Sequence, residues 1–302
     1  MPPRVSVVLP TYNRAGVLGR AVRSVLAQSA PDLELIVVDD ASTDDTPRVL
    51  ADFDDPRLHV LRHHIRSGGA AARNTGLAAA RADWVAFQDS DDEWLLDKLA
   101  RQLDVAAQDP ALGAVYCAFV RINGNRITRT PGPKVKRRAG WLHADILRDS
   151  FISTQTLLVR RVALDAAGGF DAELPRFQDW ELMMRLSREH PVGCVDEPLV
   201  IVHTLPDAIT ADAAARLRAR TRIVERHAHW LTDYPRTLAE HLYAVGHLYA
   251  LAGDTATARH WLHRAVATDR GFLKAWAALA LTGLGTTGYA QAARLRGQWR
   301  EA

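Results

Sequence analysis

Residues 4–9 read Arg-Val-Ser-Val-Val-Leu, a short apolar run with β-branched residues that is typical of a buried strand. The same kind of run recurs at residues 33–38, 58–61 and 84–88. Helical patterns lie between these runs, at residues 15–28, 43–53 and 70–80, and Ser42 or Thr43 is the expected N-cap of the second. This alternation predicts an α/β domain whose mostly parallel central sheet is flanked by helices, with right-handed crossovers.

The alternation stops after about residue 110. Strand patterns at residues 113–122 and 154–160 are separated by a turn-rich basic loop at residues 124–140. From about residue 211 onward the pattern is helical, rich in Ala, Leu, Arg and aromatic residues with almost no β-branched runs. We therefore place a domain boundary near residues 205–215 and expect an α/β domain at residues 1–210 and a small all-α domain at residues 211–302.

The composition predicts a chain that folds without a membrane or disulfides. Its 302 residues are 48% hydrophobic, enough for one large domain and a small one. A run of about 18 apolar residues, the signal for a membrane span, is absent from the sequence, and the opening Met-Pro-Pro-Arg leaves no room for a secretion signal. Cys117 and Cys194 lie in apolar strand-like runs and give no disulfide framework. We expect a cytoplasmic protein without a membrane span and without a nucleic-acid partner.

One predicted loop is strongly basic although the net charge of the chain is only +3. Its cations are Lys134, Lys136, Arg137 and Arg138. Two interpretations stay open at this point. The loop is either an ordinary solvated loop or a patch that meets an anionic donor, acceptor or lipid headgroup, so peripheral membrane contact is left open.

The helical tail contains a weak internal repeat. Its first unit resembles a tetratricopeptide helix-turn-helix, with matches at Leu242, Val245, Gly246, Tyr249, Ala258, Leu262 and Ala265. A degraded second unit has matches at Trp276, Leu279, Ala280 and Ala292, and Arg270 replaces the proline expected between the units. Because fewer than three units rarely stand alone, we expect the tail to pack on the larger domain or on another copy of the chain, as in a homodimer.

Three acidic clusters carry the strongest chemical signal, because ligands of open α/β sheets bind where the strands end. The first cluster, at residues 37–44, reads Val-Val-Asp-Asp-Ala-Ser-Thr-Asp. Asp39 and Asp40 can accept hydrogen bonds from a nucleobase N–H or a ribose hydroxyl. The alternative is that this pair forms an ordinary turn or helix cap.

The second cluster, at residues 87–94, reads Phe-Gln-Asp-Ser-Asp-Asp-Glu-Trp and follows an apolar strand directly. So many like charges repel one another unless a cation or hydrogen-bond donors compensate them. Hard oxygen ligands favour Mg²⁺ or Mn²⁺, and Mg²⁺ is usually held by one or two carboxylates together with substrate phosphates. The alternative is an exposed acidic turn that caps the next helix.

Together with two further segments, these clusters resemble the glycosyltransferases of family 2. The additional segments are Val-Ser-Val-Val-Leu-Pro-Thr-Tyr-Asn at residues 5–13 and Gly-Gly-Ala-Ala-Ala-Arg-Asn-Thr-Gly at residues 68–76. The resemblance covers about residues 4–205 and implies a GT-A fold. No G-x-G-x-x-G turn follows the first strand, which disfavours a dinucleotide-dependent oxidoreductase. No glycine- and lysine-rich phosphate loop follows it either, so a nucleotidyltransferase lacks support.

The resemblance assigns donor-binding roles to residues near the strand ends. Pro10, Thr11 and Tyr12 would flank the nucleotide base, and Asp40, with Asp39 beside it, would bind the base and ribose. Arg73 would lie near the base or the diphosphate; the alternative is an ordinary surface arginine. The implied donor is a nucleoside diphosphate sugar, and we expect a UDP-sugar.

The same resemblance implies a divalent cation, Mn²⁺ or Mg²⁺, as cofactor. Asp89, Ser90 and Asp91 match the D-x-D motif, whose carboxylates hold the ribose and a metal that bridges the diphosphate. Asp92 is a further candidate ligand, and His203 lies where some relatives supply a histidine. The metal would neutralise the charge that develops on the departing nucleoside diphosphate. For His203 a purely structural role is the alternative.

The third cluster, Phe-Gln-Asp-Trp-Glu-Leu at residues 177–182, opens a predicted helix. By resemblance, Asp179 is the general base of a single inverting displacement, with Glu181 in reserve. Relatives commonly have an acidic residue where this chain has Gln178. The alternative role of Asp179 is a helix cap.

Four residues are candidates for the acceptor pocket: Thr154, Gln155, Trp180 and Glu181. The acceptor itself stays open among saccharides, lipid-linked sugars, peptides and metabolites. A peptide is included because some family members with helical repeat tails glycosylate peptides. The sequence therefore predicts an inverting glycosyltransferase, and the alternative is a non-catalytic adaptor with a vestigial transferase domain and a partner-binding tail.

Overall fold

The computed structural model of the protein describes residues 3–204 and 212–295. These residues form two compact units. The first contains residues 3–173 and 178–204, and the second contains residues 174–177 and 212–295. In the described part of the chain, no helix has both the length and the hydropathy that crossing a bilayer requires.

The first unit is built on a sheet of nine strands within the described residues. The strands are β1 (Val5–Thr11), β2 (Leu33–Asp39), β3 (Leu58–Arg62), β4 (Trp84–Phe87), β5 (Glu93–Trp94), β6 (Ala114–Asn123), β7 (Arg126–Thr130), β8 (Leu157–Arg160) and β9 (Val192–His203). Their order is β3-β2-β1-β4-β8-β6-β9-β5, and β7 pairs with β6. The first four strands are parallel, and β8 is antiparallel to both β4 and β6. The sheet is therefore mixed, with a parallel half that comes first in the chain.

Seven helices lie beside this sheet in the described residues: α1 (Ala15–Leu26), α2 (Thr46–Ala51), α3 (Gly69–Ala79), α4 (Lys98–Gln108), α5 (His143–Arg148), α6 (Arg161–Ala167) and α7 (Gln178–Glu189). Helix α1 turns Leu18, Val22 and Val25 to the core. Helix α3 packs close to β1, because a Cβ atom at Gly76 would lie 2.3 Å from Val8 Cγ1. Only glycine allows this approach.

The central strands are buried on both faces, as expected of a parallel sheet covered by helices. Val7 and Leu9 of β1 pack in one core cluster with residues of α1 and α4, while Val8 between them is also fully buried. This explains why the first strand is an unbroken apolar run in the sequence rather than an alternating one.

Several predicted boundaries were wrong for identifiable reasons. Residues 124–140 are not loop throughout, because Gly124 begins a turn that pairs β7 with β6 as a hairpin. The second helix begins at Thr46, because Asp44 accepts the backbone N–H of Thr46 and Ser42 accepts that of Asn13 instead of capping a helix. The strand predicted from residue 154 begins at Leu157, after a single 3₁₀ turn.

The second unit contains five helices in its described part: α8 (Ala213–Leu231), α9 (Pro235–Leu251), α10 (Thr255–Thr268), α11 (Leu273–Leu281) and α12 (Gly285–Leu295). Helices α9 and α10 pack closely at Gly246, where a Cβ atom would lie 2.8 Å from Leu262 Cγ. The tail is helical, as the sequence predicts. The small-residue positions of the predicted repeat, Gly246 and Ala258, lie at this contact.

Candidate active site

Three of the motif segments meet at one edge of the sheet. Because β1, β2 and β4 run parallel, their carboxyl ends lie side by side, with Thr11 opposite Asp39 and Phe87 opposite Val8. This is the edge at which open α/β sheets bind ligands.

Asp40 is buried and holds the loop before α3. Its carboxylate accepts hydrogen bonds from the backbone N–H groups of Ser67 at 2.8 Å and Gly68 at 2.7 Å. His63 Nδ1 lies 2.8 Å from Asp40 Oδ1, and His63 Nε2 lies 2.9 Å from Thr75 Oγ1 on α3. Burial by itself would raise the pKa of Asp40, but these donors hold it below its ordinary value. Both carboxylate oxygens of Asp40 are thus used by the fold.

Asp39 differs from Asp40, because one of its carboxylate oxygens accepts no hydrogen bond from the described residues. Oδ1 accepts the backbone N–H of Ser42 at 2.9 Å. Oδ2 is buried without a hydrogen bond from the described residues, and Arg62 Nε lies 3.4 Å from it. Thr11 Oγ1, opposite Asp39 in the sheet, is likewise buried and has no hydrogen bond there. Buried acceptors of this kind are unusual in a native fold and point to a partner outside the chain.

Pro10 and Tyr12 lie on either side of Thr11, and both are partly exposed. The Arg66 guanidinium lies 4.1 Å from the centre of the Tyr12 ring. Pro10 and Tyr12 are therefore at the surface of the same edge while Thr11 is buried between them, and the base-flanking role of all three stays a prediction.

Arg73 connects the second acidic cluster to the third. Its Nη2 donates to Asp89 Oδ1 at 2.7 Å, and its Nη1 donates to Gln178 Oε1 at 2.9 Å. The side chain is only 12% exposed. The alternative that Arg73 is an ordinary surface arginine is therefore wrong. Gln178, which departs from the family pattern, is one of its anchors.

The acidic loop is a partly buried turn rather than the exposed cap considered as its alternative. Asp89 and Asp91 are partly exposed, but Ser90 and Asp92 are buried. Asp92 Oδ1 accepts the backbone N–H of His203 at 3.1 Å. Burial, followed by the charges of Asp89 and Asp91, raises the pKa of Asp92 to about 8. The loop thus concentrates negative charge that the chain does not fully compensate.

His203, the last residue of β9, lies beside this loop. Its Nε2 is 3.8 Å from Glu93 Oε2, too far for a hydrogen bond. Burial and the nearby charge of Arg20 lower the pKa of His203, and Glu93 opposes them. Arg20 of α1 also donates to the backbone carbonyl of Asp91. No sequence pattern singles out Arg20, because it is one of two arginines on that helix.

The loop fits a metal that arrives with its own phosphate ligands. Among the described residues, no three His, Cys, Asp or Glu side chains form a group that could hold a metal by themselves. Asp92, whose pKa is raised by burial and by the charges of Asp89 and Asp91, would nevertheless gain from a nearby divalent cation. One or two carboxylates completed by substrate phosphates are a common Mg²⁺ site.

Asp179 is the second residue of α7 and is partly buried. Its Oδ1 accepts the backbone N–H of Trp180 at 2.8 Å, and Oδ2 lies 3.3 Å from the N–H of Thr154. Burial raises the pKa of Asp179, and Asp89 adds to this, while the N–H donors and Arg73 oppose it. The carboxylate caps its helix and also shares an electrostatic environment with Asp89 and Arg73, so the cap and the predicted base are compatible roles.

The predicted acceptor residues separate into two groups. Thr154 and Gln155 form the turn that reaches Asp179, and Gln155 Oε1 is buried without a hydrogen bond from the described chain. Trp180 is buried, and its indole N–H donates to the carbonyl of Ile146 at 2.6 Å. Glu181 is fully buried and pairs with Arg185 at 2.6 Å.

The expectation that Trp180 and Glu181 line an acceptor pocket, or that Glu181 replaces Asp179 as base, does not fit this geometry. The two residues follow Asp179 on a helix, where consecutive side chains point in different directions. Both are bonded within the fold, and Arg185, the partner of Glu181, donates in turn to the carbonyl of Gly169 at 2.8 Å. We attribute structural roles to both.

The chain belongs to a known enzyme family. The family model described as "Glycosyl transferase family 2" matches residues 6–165, just over half of the chain. This protein is therefore a member of glycosyltransferase family 2, as the four sequence motifs indicate.

Two curated relatives illustrate the match. The chain is 36% identical over 168 residues to TuaG of Bacillus subtilis (strain 168), named a putative teichuronic acid biosynthesis glycosyltransferase; the match covers 53% of this chain and 63% of TuaG, just under two thirds. It is 36% identical over 192 residues to WfgD of Escherichia coli, named a UDP-Glc:alpha-D-GlcNAc-diphosphoundecaprenol beta-1,3-glucosyltransferase. That match covers 64% of this chain and 73% of WfgD.

Solved structures show the same fold. TarS 1–349 of S. aureus in complex with UDP-GlcNAc superposes with a TM-score of 0.73 at 19% identity, covering 99% of this chain and 93% of TarS 1–349. The mannosyltransferase PcManGT of Pyrobaculum calidifontis, in complex with GDP-Man and Mn2+, has a TM-score of 0.56 at 23% identity, covering 100% and 89%. The predicted fold class, a GT-A sheet followed by helices, is confirmed.

Proposed function

We propose that the protein is an inverting, metal-assisted glycosyltransferase that moves a sugar from a nucleoside diphosphate to an acceptor hydroxyl, with Asp179 as general base. The observation that carries the proposal is the bridge from Asp89 through Arg73 to Gln178, the residue before Asp179. Through this bridge a D-x-D carboxylate, Asp89, and the candidate base, Asp179, lie close enough to interact electrostatically. The donor diphosphate and the acceptor hydroxyl must both approach this pair of carboxylates.

For the donor we propose a UDP-sugar. Asp39 Oδ2 and Thr11 Oγ1 are buried acceptors without hydrogen bonds from the described chain, and a uracil N–H is a donor of the kind they need. We assign the base contact to Asp39 rather than Asp40, because Asp40 is occupied by Ser67, Gly68 and His63. The name of WfgD specifies UDP-Glc, and TarS was solved with UDP-GlcNAc, whereas PcManGT was solved with GDP-Man.

For the cofactor we propose Mn²⁺ or Mg²⁺ held by Asp91, with Asp89, Asp92 and His203 as neighbours. When bound, the cation would stabilise the negative charge of the leaving nucleoside diphosphate. Asp91 is our first choice as ligand because it is the second carboxylate of the D-x-D motif and is partly exposed, whereas Asp92 is buried.

The chain's own part in the reaction is proton transfer and orientation. The acceptor hydroxyl oxygen bonds to the anomeric carbon as the bond from that carbon to the diphosphate oxygen breaks, and Asp179 takes the hydroxyl proton. The displacement is single, so the configuration at the anomeric carbon inverts. The raised pKa of Asp179 makes it a stronger base than an ordinary carboxylate. The N–H groups of Thr154 and Trp180 hold it in place.

For the acceptor we propose a saccharide, either lipid-linked or part of a cell-surface polymer. WfgD is named for a diphosphoundecaprenol-linked acceptor and TuaG for teichuronic acid biosynthesis. A peptide or metabolite acceptor has no such support. The adaptor hypothesis is not favoured, because the acidic clusters are intact and two buried acceptors have no hydrogen bond from the described chain.

For the tail we propose a separate domain at residues 211–302 whose α9–α10 pair is a degenerate tetratricopeptide unit, supported by the close contact at Gly246. A homodimer through this tail is part of the proposal, as is a cytoplasmic location, which two free cysteines accommodate.

A panel of nucleotide sugars tests the proposal directly. Purified protein with Mn²⁺ or Mg²⁺ should hydrolyse or transfer one donor, and chelation should stop the reaction. UDP with Mn²⁺ should also raise the melting temperature. A protein that neither turns over any donor nor is stabilised by any nucleoside diphosphate would refute the proposal and support the adaptor hypothesis.

A further inference from the structure

A basic segment at residues 132–141, here called the Lys134 loop, follows strand β7. It contains Lys134, Lys136, Arg137 and Arg138 and ends at Trp141. The chain has no acidic residue from position 111 to position 144. Any compensation of this charge must come from carboxylates elsewhere in the fold.

Both arginines have a carboxylate partner, whereas the two lysines have none among the described residues. Arg138 pairs with Asp196, and its guanidinium also donates to the loop carbonyl of Val135 at 3.3 Å. Arg137 Nε donates to Asp145 Oδ2 at 2.7 Å. Lys134 and Lys136 are exposed, and neither has an ion-pair partner in the part of the chain that the structure describes. The arginines therefore fix the shape of the loop, while the lysines present positive charge to the solvent.

Trp141 adds a large apolar surface to this charge. Its side chain is 60% exposed, although Leu142 beside it is completely buried. The buried neighbour anchors the backbone, so the indole extends from a fixed point. Lys136 and Trp141 are five positions apart in the sequence, and exposed tryptophan and lysine are the residues that proteins use at the boundary between lipid headgroups and water.

The Lys134 loop is joined closely to the site. Helix α5 begins at His143, and the carbonyl of Ile146 in α5 accepts the indole N–H of Trp180, the residue after Asp179. Six helical residues span about 9 Å. A surface that binds the Lys134 loop would therefore lie within about 9 Å, the length of helix α5, of helix α7, which carries the proposed base.

We propose that the Lys134 loop docks on an anionic lipid bilayer, with Lys134 and Lys136 against the headgroups and Trp141 in the interfacial layer. The inference goes beyond the proposed reaction, because it concerns where the protein works and not what it transfers. A soluble polyanion would be matched by the lysines alone and would leave Trp141 in water. A bilayer interface accommodates both the charges and the indole, and this favours lipid.

Vesicle sedimentation with the full chain tests the proposal. The protein should sediment with vesicles of phosphatidylcholine and phosphatidylglycerol but not with phosphatidylcholine alone, and added salt should weaken the binding. The double variant Lys134→Glu/Lys136→Glu should lose affinity by about tenfold or more. Trp141→Ser should weaken binding as well, and its residual binding should keep the salt dependence of the wild type.

The matched control reverses two exposed charges elsewhere, Arg4→Glu/Arg101→Glu, and should bind as the wild type does. Unchanged melting temperatures would show that all variants fold. Equal binding to both kinds of vesicle, equal loss in the control, or unchanged binding in both loop variants would overturn the proposal. So would a result in which the lysines are needed for soluble polyphosphate but not for vesicles. Donor hydrolysis in solution should not change in any variant, which keeps this test independent of the proposed function.

Discussion

Arg73 lies between Asp89 and the first turn of helix α7, with its Nη2 atom 2.7 Å from Asp89 Oδ1. Asp89 raises the pKa of Asp179, and the Arg73 guanidinium opposes that effect. A single arginine from α3 therefore allows a D-x-D carboxylate and the proposed base to be near each other. The two carboxylates are 90 positions apart in the sequence, so only the fold reveals this dependence.

Replacing Arg73 should change the pH dependence of catalysis. Without the guanidinium, the pKa of Asp179 should rise further, because only the backbone N–H groups of Trp180 and Thr154 would still oppose burial and Asp89. In Arg73→Met we expect the acidic limb of the pH profile of kcat/KM to move to higher pH, with a loss of about 100-fold near neutrality. Arg73→Lys keeps the charge and should move the limb less. Identical limbs in Arg73→Met and the wild type would show that Arg73 does not tune the base.

Asp179→Asn should separate catalysis from donor binding. The amide cannot accept the hydroxyl proton, so kcat should fall by about 100-fold to 10,000-fold. It can still accept a hydrogen bond from the Trp180 N–H, so the helix cap should survive. UDP with Mn²⁺ should stabilise the variant as it does the wild type in a thermal shift assay. The exposed Asp165→Asn is the matched control and should keep full activity; wild-type turnover in Asp179→Asn would remove Asp179 from its assigned role.

The same substitution, Asp to Asn, should affect stability at Asp40 and donor recognition at its neighbour Asp39. Asp40→Asn removes a charged acceptor from Ser67, Gly68 and His63 and should lower the free energy of unfolding by about 2–3 kcal/mol. The pKa of Asp40 is depressed in the fold, so this part of the stability is present above the unfolded pKa and lost as the pH falls through the folded one. Urea denaturation at neutral and acidic pH measures both effects.

Asp39→Asn should instead change donor recognition. Its Oδ2 has no hydrogen bond within the described chain and would lose only its ion pair at 3.4 Å with the largely exposed Arg62, so stability should change less than in Asp40→Asn. The carboxamide can present an N–H where the uracil N–H needs an acceptor, so KM for the UDP-sugar should rise by about tenfold or more. If Asp40→Asn were the variant with raised KM and normal stability, the assignment of the two residues would be reversed.

The sequence predicted the parallel half of the fold well, because its strands β1 and β2 are buried on both faces and read as continuous apolar runs. It could not predict β7, whose residues Arg-Ile-Thr-Arg-Thr are exposed and carry no apolar alternation. The three acidic clusters were found from local composition. The role of Arg20 and the different roles of Asp39 and Asp40 were not predicted. Both depend on which backbone N–H groups and carbonyls approach from distant segments.

Arg20 should act as a positioning residue for the acidic loop. It donates to the backbone carbonyl of Asp91, so its loss should loosen the loop that carries the proposed metal ligands. In Arg20→Met we expect weaker Mn²⁺ binding in the presence of UDP, by about tenfold, with a parallel rise in the Mn²⁺ concentration needed for half-maximal activity. Electron paramagnetic resonance of free Mn²⁺ gives the affinity without turnover. Arg23→Met, an exposed arginine on the same helix, is the control, and equal affinities in the two variants would contradict the role.

Lys98 should lower the stability of the protein at neutral pH. Its side chain is completely buried, its Nζ donates to Gln102 Oε1 at 2.7 Å, and the same atom lies 3.8 Å from the centre of the Trp94 ring. In the described residues no carboxylate pairs with it. Burial lowers the pKa of Lys98 to about 8, although Cys117 opposes this shift. The native state therefore disfavours the ammonium form, which the unfolded chain keeps up to about pH 10.4.

The sign of the pH dependence follows from these two pKa values. Below pH 8 the Lys98 amine is protonated in both the native and the unfolded state. Between about pH 8 and 10.4 the unfolded state binds more protons. As the pH is raised through this range, the free energy of unfolding of the wild type therefore gains a contribution that rises to about 3 kcal/mol. Lys98→Met lacks this titration. Its advantage over the wild type should be largest at pH 7 and should shrink steadily as the pH is raised through this range. Urea denaturation at several pH values measures the difference, in which the titrations of all other groups cancel. Lys274→Met, an exposed lysine, should show no such trend, and a Lys98→Met advantage that stays constant with pH would mean that the buried amine keeps an ordinary pKa.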